Sequence, residues 1–201
     1  MSLEKEELMD RVIRGSLFST VINIGFGVCY PILAFLSGSL WLLILGVYYL
    51  MLGIIELLAL SVDEGKGLIC KIAGWVLMTL SATMVGAIVT SVILENGYRF
   101  HLILILAIAS FAFSKITLAT INLIKVKRLE SEKITVLRSV SFVDGLISIF
   151  ALQRSMIATF DGMSVGEALV MNLALGIAVS AAVFLVGIRL VIGSNKIASN
   201  T

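Results

Sequence analysis

Apolar residues fill this chain in long blocks, and the breaks between them are short. The blocks run over 16–36, 40–61, 69–93, 101–124, 137–157 and 167–192. The breaks read "SGS", "DEGKG", "ENGYR", "KVKRLESEK" and "DGMSVG". A hydrocarbon layer about 30 Å thick takes about 20 apolar residues of helix, so each block can cross one. No period-two alternation runs through the blocks, which argues against a β-barrel. The pattern therefore predicts an all-α polytopic membrane protein of six transmembrane helices. The first break is so short that helices one and two must form a tight antiparallel hairpin.

Ahead of the first block, "MSLEKEELMDRVIRG" mixes acids and bases. It has no basic lead into a short apolar core, so it does not read as a cleavable signal. Leu8, Met9, Val12 and Ile13 fall at helical spacing, which predicts an amphipathic segment over 1–13 lying on the membrane surface.

Three tandem two-helix hairpins are expected within a single transmembrane domain. Even-numbered helices end alike, at Ile55-Glu56-Leu57, Ile121-Asn122-Leu123 and Ile188-Arg189-Leu190. Odd-numbered helices begin alike, with Arg14 and Phe18, Lys71 and Trp75, Arg138 and Phe142. The pseudo-repeats then span about 14–61, 71–124 and 138–192, related by an axis along the membrane normal. A basic residue at the interface with an aromatic one turn inward also fits ordinary interface chemistry.

Composition agrees with lipid as the solvent: 59% of residues are hydrophobic and 14% charged. A soluble domain carries about a quarter charged residues. Twelve Lys and Arg residues fall in or beside the N-terminus, second and fourth breaks and C-terminal tail; only Arg99 and Arg154 belong to the other three breaks, and Lys115 is inside a block. That bias places both termini in the cytoplasm, and the expected location is a bacterial inner membrane. Net charge is +2, which gives no sign of a nucleic-acid partner. The lone His101 and the separated Cys29 and Cys70 form no metal or cofactor set. No metal or cofactor is expected.

"LGVYYLMLGIIELLAL", after "GFGVCYP", resembles the repeat of the HdeD-like family of small bacterial inner-membrane proteins. The resemblance covers residues 24–60 and implies six spans and a role linked in some members to acid stress. Pro31 has no equivalent in the other two repeats. "RSVSFVDG", residues 138–145, resembles the Arg-x-x-x-Phe-Ser-Asp signature of a lysosomal and bacterial potassium-channel family at Arg138, Phe142 and Asp144. Val143 stands where that family has serine, and the stretch falls in the fifth helix rather than the first.

Charges inside the blocks are the candidate chemistry. Glu56, Lys115, Asp144 and Arg189 balance in sign, and Asn23 and Asn122 add polar groups. A lone charge in hydrocarbon costs about 2.5–3.5 kcal/mol on insertion scales, so these residues should face inward and be partnered. Two readings follow. The residues line a cytoplasm-facing polar cavity of a transporter, channel or transport subunit for an ion or small polar solute. Alternatively they are structural ion pairs, Glu56 with Arg189 and Asp144 with Lys115, in a membrane stress-response or scaffold protein. The expected partners are the lipid bilayer and, through the small-residue stripe Ala174, Ala178 and Ala182 of helix six, a second copy of the chain.

"GMSVG", residues 162–166, matches the Gly-x-Ser-x-Gly of a hydrolase nucleophile elbow, which needs a strand before it. An apolar helix precedes it here. Ser164 followed by Glu167 reads better as a capping box, so an enzyme is not the expected class.

Overall fold

A computed structural model describes residues 2–62, 67–94, 109–110, 112–113, 115–117, 131–159 and 163–199. The described residues form helices: α1 (Ser2–Ser37), α2 (Leu40–Ser61), α3 (Leu68–Leu94), α4 (described within 109–117), α5 (Glu132–Thr159) and α6 (Val165–Ser199). Five of them contain stretches long and apolar enough to cross a membrane: Val12–Ser37, Leu40–Ser61, Leu68–Gly86, Glu132–Ile157 and Gly166–Asn195. The chain is a helical, multi-pass membrane protein.

Helix boundaries differ from the apolar blocks at three places. The amphipathic N-terminal segment is not separate, because α1 runs unbroken from Ser2. Helix α5 begins at Glu132, five residues before its block, and α6 continues to Ser199. Hydrogen bonding carries a helix past the edge of its apolar sequence wherever the next residues tolerate it.

The "SGS" break is a two-residue reversal at Gly38 and Ser39. Gly38 has φ 68°, the left-handed conformation that ends a helix without a Cβ penalty. Helices α1 and α2 then run antiparallel in close contact. Leu50 packs where a Cβ at Gly27 would sit, and the Pro31 ring fills the space a Cβ would need at Gly46. Pro31 removes one helical N–H bond inside α1, yet the helix continues through it.

Helix α3 pairs most extensively with α6, a partner remote in sequence. A Cβ at Gly74 would lie 2.7 Å from the Gly187 carbonyl oxygen, and one at Gly187 would lie 2.8 Å from the Gly74 carbonyl oxygen. The two backbones touch because neither residue carries a side chain, the usual device for helix contact in lipid. The glycine face of α6 is thus turned to α3, while Ala174 and Ala178 are exposed. Helix α5 lies among the others and contacts α1, α2, α3 and α6. Its Leu137, Val140, Val143, Ile147 and Phe150 are completely buried in one continuous apolar core.

Helix ends are tied together at the two faces of the bundle. On the basic face, Gly67 N–H donates to Glu132 Oε2 at 3.2 Å and Cys70 N–H to Oε1 at 3.1 Å. One carboxylate of α5 therefore caps the otherwise unpaired first turn of α3, where the helix dipole also favours it. Lys133 Nζ donates to the Leu60 carbonyl at the end of α2, 3.1 Å away. On the opposite face, the Arg154 guanidinium lies 4.6 Å from the Trp41 ring centroid, and Trp41 meets Phe150 edge to face. The capping box at the start of α6 is formed: Glu167 N–H donates to Ser164 Oγ at 3.3 Å, and Ser164 N–H donates to Glu167 Oε2 at 2.9 Å.

Gly74→Val should lower stability in detergent by about 1–3 kcal/mol, because its branches meet the α6 backbone. Gly86→Ala, with open space around it, should leave the unfolding midpoint unchanged or slightly raised. Glu132→Ala should cost about 1.5–3 kcal/mol by stripping two charge-assisted hydrogen bonds from α3. Protection of the Gly67 and Cys70 amides from hydrogen exchange should fall with it.

Candidate functional site: a buried polar cluster

Ser16, Ser19, Thr20 and Asn23 recur at i, i+3, i+4 and i+7, so they share one face of α1. That face meets Glu56 of α2, Lys115 of α4 and Asp144 of α5. Gly53 permits the approach, since a Cβ there would meet Ile24 and the Asn23 Cβ. One helical turn further along α2 is Glu56, facing the same stripe. Glu56 and Asn23 are wholly buried, Asp144 is 1% exposed and Lys115 9%.

Asn23 is the hub. Lys115 Nζ donates to Asn23 Oδ1 at 2.7 Å and to Asp144 Oδ2 at 2.5 Å. With its oxygen turned to the ammonium, the Asn23 amide presents Nδ2 to Glu56 Oε2 at 3.2 Å. Ser19 Oγ donates to Glu56 Oε1 at 3.0 Å, and Thr20 Oγ1 meets Glu56 Oε2 at 3.1 Å. Ser19 Oγ stands 3.5 Å from Asp144 Oδ2, so a single hydroxyl separates the two carboxyl groups. Asp144 Oδ1 has no hydrogen-bond partner among the described residues.

Aromatic rings close the cluster on the side away from the basic face. Lys115 Nζ lies 5.1 Å from the Tyr49 ring centroid, within cation–π reach. Tyr49 stacks with Tyr30, and Phe26 packs against both, with ring centroids 5.4–5.9 Å apart. The Tyr49 hydroxyl pairs with Ser148 Oγ at 3.3 Å. Towards the basic face, Val12 packs on Ile134. The polar groups meet one another inside the bundle, and apolar or aromatic layers lie to either side.

The candidates singled out in the sequence divide. Glu56, Lys115, Asp144 and Asn23 come together. Arg189, the expected partner of Glu56, is exposed on α6. At about 100° per residue, burial of Gly187 and Leu190 turns Arg189 outward. Asn122 lies outside the described residues, as do His101 and Asp161. Asp144 sits twelve residues from the start of α5, roughly 18 Å, because α5 begins at Glu132. Sequence reasoning passed over Ser16, Ser19, Thr20 and Tyr49, although the i, i+3, i+4, i+7 spacing of polar residues in α1 was readable.

Charge in the cluster does not balance. Two carboxylates face one ammonium among the described residues, and the fourth charge expected there is absent from the site. Low-dielectric surroundings make such an excess costly. The arrangement is equipped to hold one further positive charge. Among the described residues no group of three His, Cys, Asp or Glu side chains could hold a metal ion, and the serine of "GMSVG" is engaged in its capping box rather than on an elbow.

Lys115→Met alone should destabilise by about 3–5 kcal/mol, since it strands Asp144 without its cation. Adding Asp144→Leu should restore much of the loss, and a double-mutant cycle read by unfolding in detergent measures the coupling. Compared with known proteins, the chain matches no protein-family model and no curated protein.

Proposed function

We propose that this protein moves an ion or a small polar solute across a bacterial inner membrane, as a transporter, channel or transport subunit. The observation that carries the reading is the unbalanced carboxyl pair, Glu56 and Asp144, held deep in a membrane-spanning bundle around one lysine. Ionisable groups in such positions are costly, and they commonly mark ion and proton paths. In this reading the cluster is the polar site, closed by apolar and aromatic layers as one stage of an alternating-access cycle requires.

Six crossings with both termini in the cytoplasm fit the same reading. The C-terminal end of α3 and the N-terminal end of α5 lie at opposite faces, since Glu132 caps the start of α3. Ala112 packs on Leu152 and Lys115 bonds Asp144, an order antiparallel to α5.

A second reading has its own observation. Lys115 and Asp144 bond directly, as in a structural pair, and the resemblance of residues 24–60 to HdeD-like proteins goes with a stress or scaffold role. Flux in proteoliposomes separates the two. The transport reading expects ion or solute flux above protein-free vesicles, falling at least tenfold in Glu56→Gln and Asp144→Asn. Folded protein with no flux across monovalent ions and small polar solutes supports the structural role.

A further inference from the structure

Counting hydrogens around Glu56 narrows what the site holds. Four oxygen–oxygen contacts meet at two hydroxyls: Ser19 Oγ with Glu56 Oε1 at 3.0 Å and Asp144 Oδ2 at 3.5 Å, Thr20 Oγ1 with the Ser16 carbonyl at 2.8 Å and Glu56 Oε2 at 3.1 Å. A hydroxyl donates one hydrogen. Ser19 and Thr20 therefore fill two of the four contacts. With Ser19 donating to Glu56 and Thr20 to the Ser16 carbonyl, the close contact between Thr20 and Glu56 has no hydrogen in it. A proton on Glu56 Oε2 fills it, with the Thr20 oxygen as acceptor.

The partners of the two acids point the same way. Asp144 has the ammonium of Lys115, so it keeps its charge. Glu56 has only neutral partners among the described residues: Ser19, Thr20 and Asn23. A proton there takes the cluster from a net charge of −1 to neutral.

We propose that the cluster is a proton-binding site in which Glu56 carries the exchangeable proton and Asp144 remains the counter-ion of Lys115. This deepens the transport reading by naming the ion as H⁺, and it rests on that reading for its use. Binding forms one O–H bond on Glu56 and breaks none within the protein. The groups that set its occupancy are Ser16, Ser19, Thr20 and Asn23 of α1, Tyr49 of α2, Lys115 of α4 and Asp144 of α5, with Tyr30 behind the Tyr49 ring.

Infrared spectra of the purified full chain in lipid test this directly. At neutral pH the wild type should show a carboxylic-acid carbonyl band that shifts in deuterated water. It should be lost in Glu56→Gln, weakened in Asp144→Asn, where Glu56 is left to balance the Lys115 ammonium, and displaced but present in Thr20→Val. Carbon-13 labelling of glutamate side chains, and not of aspartate, should move the band in the unmutated protein, so the result survives a variant that fails to fold. A folded wild type with no such band, or a band that follows aspartate labelling, overturns the proposal. The spectrum is read without transport: a glutamate band without flux upholds the proton site and rejects transport, while flux without the band does the reverse.

Discussion

Hydrocarbon cannot solvate charge, and that constraint organises the bundle. Three ionisable side chains from α2, α4 and α5 are kept from lipid by being gathered against one polar stripe on α1. Asn23 makes this possible because an amide is both donor and acceptor. Its oxygen faces Lys115 and its nitrogen faces Glu56, so a cation and an acid that do not bond each other share one intermediary. A serine at that position would offer one hydrogen rather than two, and an apolar residue would leave both charged groups short of a partner.

Around this centre the helices meet in two ways. Where backbones must touch, as between α1 and α2 or α3 and α6, glycine removes the side chain. Where the core needs volume, α5 supplies large apolar residues on the face turned inward. Close contact fixes the relative rotation of each pair. In α1 that rotation turns Ser19 and Asn23 inward, and in α6 it turns Arg189 outward.

The helical class and membrane environment were legible in the sequence, because block length and apolar content are set locally. So were the hairpin at Gly38 and the capping box of Ser164 and Glu167, each decided within a few residues. Inward placement of Glu56, Lys115, Asp144 and Asn23 followed from the cost of exposing them. Partner choice followed only in part: Asp144 with Lys115 is formed, and Glu56 with Arg189 is not. Sign balance joined Glu56 to Arg189, but the side of α6 that faces inward depends on Gly187 meeting Gly74, a contact between residues 113 positions apart. The pairing of α3 with α6 was hidden for the same reason. The hydroxyls around Glu56 were overlooked because serine and threonine sit comfortably in any membrane helix, back-bonded to the preceding turn as Thr20 is to Ser16.

The polar contacts also follow the order in which a ribosome makes the chain. Glu56 emerges after Ser19, Thr20 and Asn23, all on the helix before it. Lys115 comes next and finds the Asn23 oxygen already present; Asp144 arrives last and finds Lys115. At no stage of synthesis does a newly made charge precede every group that can receive it. Gly74 has the opposite history, since its partner Gly187 is translated 113 residues later. Residue order therefore offers each charge of the cluster an earlier partner, while α3 must wait for α6.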